Sequence, residues 1–100
     1  MKLLTKEILN KVPHLYANEG KHLSEVPIIA KFFTPWSCWT WYMTELDPKT
    51  LVGFGLVEGF EKELGYFSFV ELEEIRGPGG LTIERDLHFG QHMLSEFMPD

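Results

Sequence analysis

One hundred residues make a single domain of about the commonest size, long enough to bury one core. Apolar side chains at 44% and charged ones at 24% are ordinary globular proportions and exclude a disordered chain. Fifteen acidic against nine basic residues give a formal charge of −6, with no Lys/Arg run to follow a phosphate backbone, so direct binding of a nucleic-acid polymer is not expected.

Residues 6–10 read as a short helix capped by Thr5, with Leu4, Ile8, Leu9 and Val12 at helical spacing and facing the core. Pro13 ends it or opens a second turn, Asn18-Glu19-Gly20 breaks the pattern, and residues 21–26 read as a polar loop. Residues 28–34 are β-branched and aromatic, a first strand, followed by a turn at Thr34-Pro35-Trp36-Ser37. The strand predicted over 38–46 is the clearest: Trp39, Trp41 and Met43 alternate with Thr40, Tyr42 and Thr44. Asp47-Pro48-Lys49 is a turn, and residues 51–57 make the third strand. Gly53, Gly55 and Gly59 share its parity, which suits a bulky neighbour, such as an indole, lying over one face.

Residues 64–67 form a fourth strand that runs straight into a helix through Ser68. Ser68 and Glu71 have capping-box spacing, Phe69, Leu72 and Ile75 form an apolar stripe, and Glu71, Glu73 and Glu74 take the wet side. Arg76 suits the negative end of this helix, and Gly77 is expected to end it in the left-handed conformation. Gly77-Pro78-Gly79-Gly80 is a tight loop that lacks the spacing of a P-loop and reads as a turn rather than an anion nest. Residues 81–87 look extended, and a last short helix is expected around 94–98. The fold class is therefore α+β over residues 1–100: an antiparallel meander of four or five strands, with short helices packed on one face or end.

Aromatic residues are the departure in composition: 14%, as eight Phe, three Trp and three Tyr. Most belong in a core, although Trp and Tyr also gather at interfaces. Cys38 is the only cysteine, so no internal disulfide forms, and it reads as a small hydrophobe. The opening MKLLTKEILNK lacks the apolar core of a signal peptide, and no apolar run is long enough to span a bilayer. A cytoplasmic protein without membrane contact is expected.

Two clusters carry candidate chemistry. Trp39 and Trp41, with Tyr66, offer rings on which a nucleobase-like ring can stack, while Arg76 or Arg85 holds an attached phosphate. Glu84-Arg85-Asp86 is the densest group of opposite charges. An inward Arg85 needs a carboxylate from Glu61, Glu63 or Glu45, or it serves as a fork for a ligand carboxylate or phosphate. His88 and His92 are four apart, but Gly90 lies between them and no third metal ligand is placed. No nucleophile elbow occurs, and no cofactor is expected.

The segments KFFTP, WTWY, FGLVEGFEKELGYFS, ELEEIRGPGGL and IERD together resemble the domain-of-unknown-function family 2958, and the resemblance spans nearly the whole chain. That family consists of short bacterial proteins, often carried by plasmids, integrative elements and phages. It has no established activity, so the resemblance implies a mobile-element setting rather than a mechanism. The first expectation is a non-enzymatic accessory protein that binds a host protein of a defence or regulatory system. A second is a binder, or sponge, of a small nucleotide-like ligand. A third is a small hydrolase built on Glu63, Glu84 and Asp86 with His88.

Overall fold

In the computed structural model, which describes residues 3–98, the first helix, α1 (Lys6–Lys11), starts where Thr5 places it. The Thr5 hydroxyl accepts from the Ile8 N–H at 3.2 Å, the bond an extended N-cap residue supplies. Leu4 and Ile8 are buried and Val12 packs against them, but Leu9 is 41% exposed, which corrects the expected core face. Ile8 and Leu9 stand about 100° apart around the axis, and only one of them can meet the sheet.

The strand expected over 28–34 is split. β1 (Pro27–Ile28) parts from β2 (Ala30–Phe33) at Ile29, and the two halves take different partners. β3 (Thr40–Asp47), β4 (Val52–Glu58) and β5 (Lys62–Ser68) continue β2 into an antiparallel meander. After α2 (Phe69–Glu74) the chain returns to the other edge, where β6 (Glu84–Arg85) pairs with β2 and completes a five-stranded sheet. β7 (His92–Met93) pairs with β1 in a separate two-stranded ribbon. The expected extension over 81–87 thus shrinks to β6, and the expected final helix is a single 3₁₀ turn, Leu94–Glu96. Another such turn, Leu23–Glu25, occupies the expected loop of 21–26. No helix among the described residues is long and apolar enough to cross a membrane.

β3 is covered on both sides. Thr44 is an extra residue in its pairing with β4: Met43 faces Gly55 and Glu45 faces Phe54. This bulge shifts the alternation, so Trp41, Met43 and Leu46 share one face while Tyr42 and Glu45 take the other. On the first face, α1 and α2 bring Leu4, Ile8, Phe69 and Leu72 against Phe32 and Met43. On the second, Val26, Ile28 and Leu94 cover Tyr42 and Leu56, with the Phe97 ring stacked on Tyr42 at 4.6 Å.

The glycine face of β4 is close packing. The rings of Phe67 and Phe69 lie over Gly53, and a Cβ at Gly55 would run into the Tyr42 carbonyl. At the head of α2 the capping box is half made: the Ser68 hydroxyl accepts from the Glu71 N–H at 3.3 Å, but Ser68 itself sits in the ladder opposite Val52. The helix ends on an extended Ile75 rather than a left-handed Gly77, whose φ is −99°. Gly77 is needed for another reason, since a side chain there would meet the Trp36 ring. Within this loop the left-handed glycines are Gly79 and Gly80, in a turn where the Gly77 N–H bonds the Leu81 carbonyl at 2.7 Å.

Candidate functional site

Trp39 closes the turn before β3 and Trp41 lies within it, so strand alternation sets both indoles on the face that carries the helices. Their rings stack with centroids 6.0 Å apart. Phe60, at the tip of the β4–β5 hairpin, meets Trp39 edge-on at 5.4 Å and is itself 94% exposed. Gly59 permits this arrangement, because a side chain there would strike the Trp39 ring. Trp36, Trp39, Trp41 and Ile75 then line an open groove of about 480 Å³.

Acidic side chains frame this aromatic end. Glu61 and Glu63 are exposed on the hairpin, and Glu63 lies across from Val57 on the Trp41 side of the sheet. α2 carries Glu71 and Glu74, also exposed. Glu58 is paired with Lys62 at 3.1 Å. Arg76 turns back on its own helix, donating from Nη1 to the Glu73 and Ile75 carbonyls at 2.8 and 3.0 Å, where a cation offsets the exposed carbonyl end. Cys38 lies nearby and is exposed in a bend over residues 37–38, so the small hydrophobe of the sequence reading has no core to enter.

The other residues of the aromatic and charged clusters lie elsewhere. Tyr66 is on the opposite face, against Phe54 at 4.9 Å. The Tyr16 hydroxyl bonded to it, then burial and the negative charge of Glu45 and Glu19, raise its phenol above the ordinary value. Arg85 is on edge strand β6, separated from Trp41 by Phe32 in the ladder, and its Nε is buried without a partner. Glu45 does not pair with it, because both Glu45 oxygens accept backbone N–H groups of the 16–18 turn. Glu61 and Glu63 belong to the far hairpin and edge, out of reach of β6. Glu84 is exposed, and Asp86 pairs with Lys31 at 3.7 Å while accepting the His88 N–H at 2.9 Å. The sheet therefore keeps Trp39 and Trp41 together, leaves Arg76 next to the groove but bonded to its own helix, sets Arg85 two strands away on the same face, and carries Tyr66, Glu84 and Asp86 on the other face.

Glu63 and Glu84 occupy opposite edges, four strand spacings or roughly 19 Å apart, so they form no carboxylate pair. His88 sits in a turn, while His92 on β7 bonds Glu96 at 2.9 Å. Among the described residues no group of three or more His, Cys, Asp or Glu is arranged to hold a metal ion. Tyr42, buried beside Glu58, has its hydroxyl pushed up to about 12, chiefly by burial and then by that carboxylate.

Phe60 is the residue that sequence reasoning passed over. Its signal was there: a Phe in Gly59-Phe60-Glu61, between two strand-like runs, occupies a hairpin tip that has no core to enter. Residues 3–99, nearly the whole chain, match the family described as "Protein of unknown function (DUF2958)". No curated protein and no solved structure matches.

Proposed function

We propose that this chain, which belongs to the DUF2958 family, is a non-enzymatic accessory protein of mobile-element origin that binds a host protein in the cytoplasm, a defence or regulatory component. The single observation that carries the reading is Phe60, 94% exposed at a hairpin tip and edge-on to the Trp39–Trp41 stack. Scattered surface apolar groups are ordinary, but a contiguous patch of one Phe and the indole edges is the kind of anchor that interfaces use. Glu61 and Glu63 beside it favour a partner with an apolar pocket and a basic rim.

The test is capture of a partner by tagged protein expressed in a bacterial host, followed by native mass spectrometry. A stoichiometric protein complex is expected, weakened about tenfold or more by Phe60→Ala. Reversal of Glu61 and Glu63 to Lys is expected to weaken it further and to slow association. Phe60 contributes little to the core, so the variant should melt within about 1–2 °C of wild type, consistent with an effect near zero on stability. Capture that is indifferent to Phe60→Ala would remove the basis of the proposal.

The second reading, a sponge for a small nucleotide-like ligand, retains the Trp39–Trp41 face as a stacking surface. It lacks a phosphate-holding arginine beside the stack, since Arg76 is engaged with its own helix and Arg85 lies two strands from Trp41, beyond Phe32. The geometry favours the protein partner.

A further inference from the structure

On the sheet face away from the aromatic end, a cavity of about 310 Å³ lies between β3, β4, β5 and the turns of residues 16–21. Its sides are apolar, formed by Phe54, Leu64 and Leu94, with Tyr66 against Phe54. Its polar end is constructed with care. Glu45, 5% exposed, takes the Tyr16 N–H at 2.7 Å on one oxygen and the Asn18 N–H at 3.1 Å on the other. Each oxygen keeps a lone pair for a further donor. Asn18, 9% exposed, accepts from Lys21 at 3.2 Å through its side-chain oxygen, while its side-chain NH₂ is shielded from water and has no acceptor. Burying a donor without an acceptor weakens the fold, so an acceptor supplied from outside would repair the deficit. The chain also holds Tyr16 at φ 72°, a conformation that a bulky side chain rarely adopts, to bring these groups over the cavity.

We propose that this cavity binds a planar heterocycle that carries an N–H donor beside an acceptor, the cyclic-amide edge of a hypoxanthine or uracil ring. On binding, the Asn18 amide turns from its shielded position so that its NH₂ donates to the acceptor oxygen, the ring N–H goes to the Glu45 carboxylate, and the ring faces lie among Phe54, Leu64 and the tyrosines. A site of this kind combines apolar walls with a few convergent polar groups, which fix orientation. Glu19 and Glu45 make the polar end negative with Lys21 opposing them, so an uncharged base or nucleoside suits it better than a polyphosphate. The site shares no residue with the Phe60 patch, and either proposal can fail alone.

The test is titration of ¹⁵N-labelled full-length protein with inosine and uridine, and with 1-methylinosine and 3-methyluridine, whose ring N–H is blocked. Saturable shifts of the Asn18 side-chain NH₂ and of the Tyr16 and Asn18 backbone N–H groups are expected with at least one parent nucleoside. Its methylated counterpart should bind about tenfold more weakly or worse, since a built hydrogen-bonding site rejects a ligand that leaves its buried groups unpaired. Asn18→Ala should lose binding to a similar extent while melting at or above the wild-type temperature, because an unsatisfied donor has been removed. Phe60→Ala should bind as wild type does. No saturable shift with either nucleoside at millimolar concentration, or equal binding of parent and methylated forms, overturns the proposal whether or not Asn18→Ala folds.

Discussion

Two glycines that face each other across β4 and β5 show how differently one residue type is used. Gly55 has the Tyr42 carbonyl where its Cβ would stand, and that obstacle is backbone, which cannot rotate aside. Gly65, its cross-strand partner, has open space at the same point and no left-handed backbone. Gly55→Ala is therefore expected to destabilise by about 3 kcal/mol or more, because β3 and β4 must move apart. Gly65→Ala is expected to stabilise by about 0.5 kcal/mol, as the unfolded chain loses freedom that the strand never used. Urea melts of the two variants check both signs. The sequence made the glycine face of β4 legible as close packing, since Gly53 and Gly55 share strand parity. It left hidden which object does the packing: rings over Gly53, a carbonyl at Gly55, an indole over Gly59. A glycine records that something comes near, and its identity is fixed only by register.

At the level of elements, local chemistry was readable and partner choice was not. Thr5 and Ser68 cap the helices they were expected to cap, because N-cap bonds are made within three residues. The break at Ile29 and the bulge at Thr44 were invisible, because each depends on what the neighbouring strand does. For the candidate site, Trp39 and Trp41 could be placed on one face from alternation alone, whereas Phe60 needed the hairpin and Asn18 needed the fold.

The C-terminal ribbon carries a pH dependence that follows from one side-chain pair. The bond to Glu96 raises the His92 value above 6.5, and the same bond lowers Glu96 below 4.5. A raised histidine adds stability that is fully present below its unfolded value and fades as pH rises through the folded one. A lowered carboxylate adds stability that is present above its unfolded value and fades as pH falls through the folded one. The pair therefore acts between roughly pH 5 and 6.5. His92→Gln should melt below wild type by the widest margin near pH 5.5, and the margin should narrow to a pH-independent packing offset above about pH 8. Parallel melting curves across that range would show that the pair is not linked to folding.

Across the whole molecule, the sheet divides two surfaces of different character. One side ends in an indole stack and an exposed Phe framed by glutamates, and the other holds a narrow cavity with a buried carboxylate. β3 supports both, and its bulge is what lets Trp41 and Glu45, four residues apart, point to opposite sides. Deletion of Thr44 would set Glu45 directly after Met43 in plain alternation, so Glu45 should stay opposite Phe54 on the cavity side and keep the Tyr16 and Asn18 N–H groups. Such a chain should lose about 1–2 kcal/mol, from the buried Thr44 side chain and its hydroxyl bond to the Phe54 carbonyl rather than from a misplaced carboxylate. A folded NMR spectrum with a urea midpoint below that of wild type is the expected reading.

The order of strands also governs how the protein is made. β2 becomes an inner strand only when β6 arrives, and β1 has no ribbon partner until β7 does. During synthesis the β2 edge, with Phe32 and Phe33, waits while some fifty further residues emerge, which takes roughly 3–10 s at ordinary rates of synthesis. For that interval the nascent chain is a half-closed sheet with an unguarded aromatic border. A ribosome that stalls before Glu84 would release not a smaller version of this protein but an adhesive one, a substrate for chaperones and proteases.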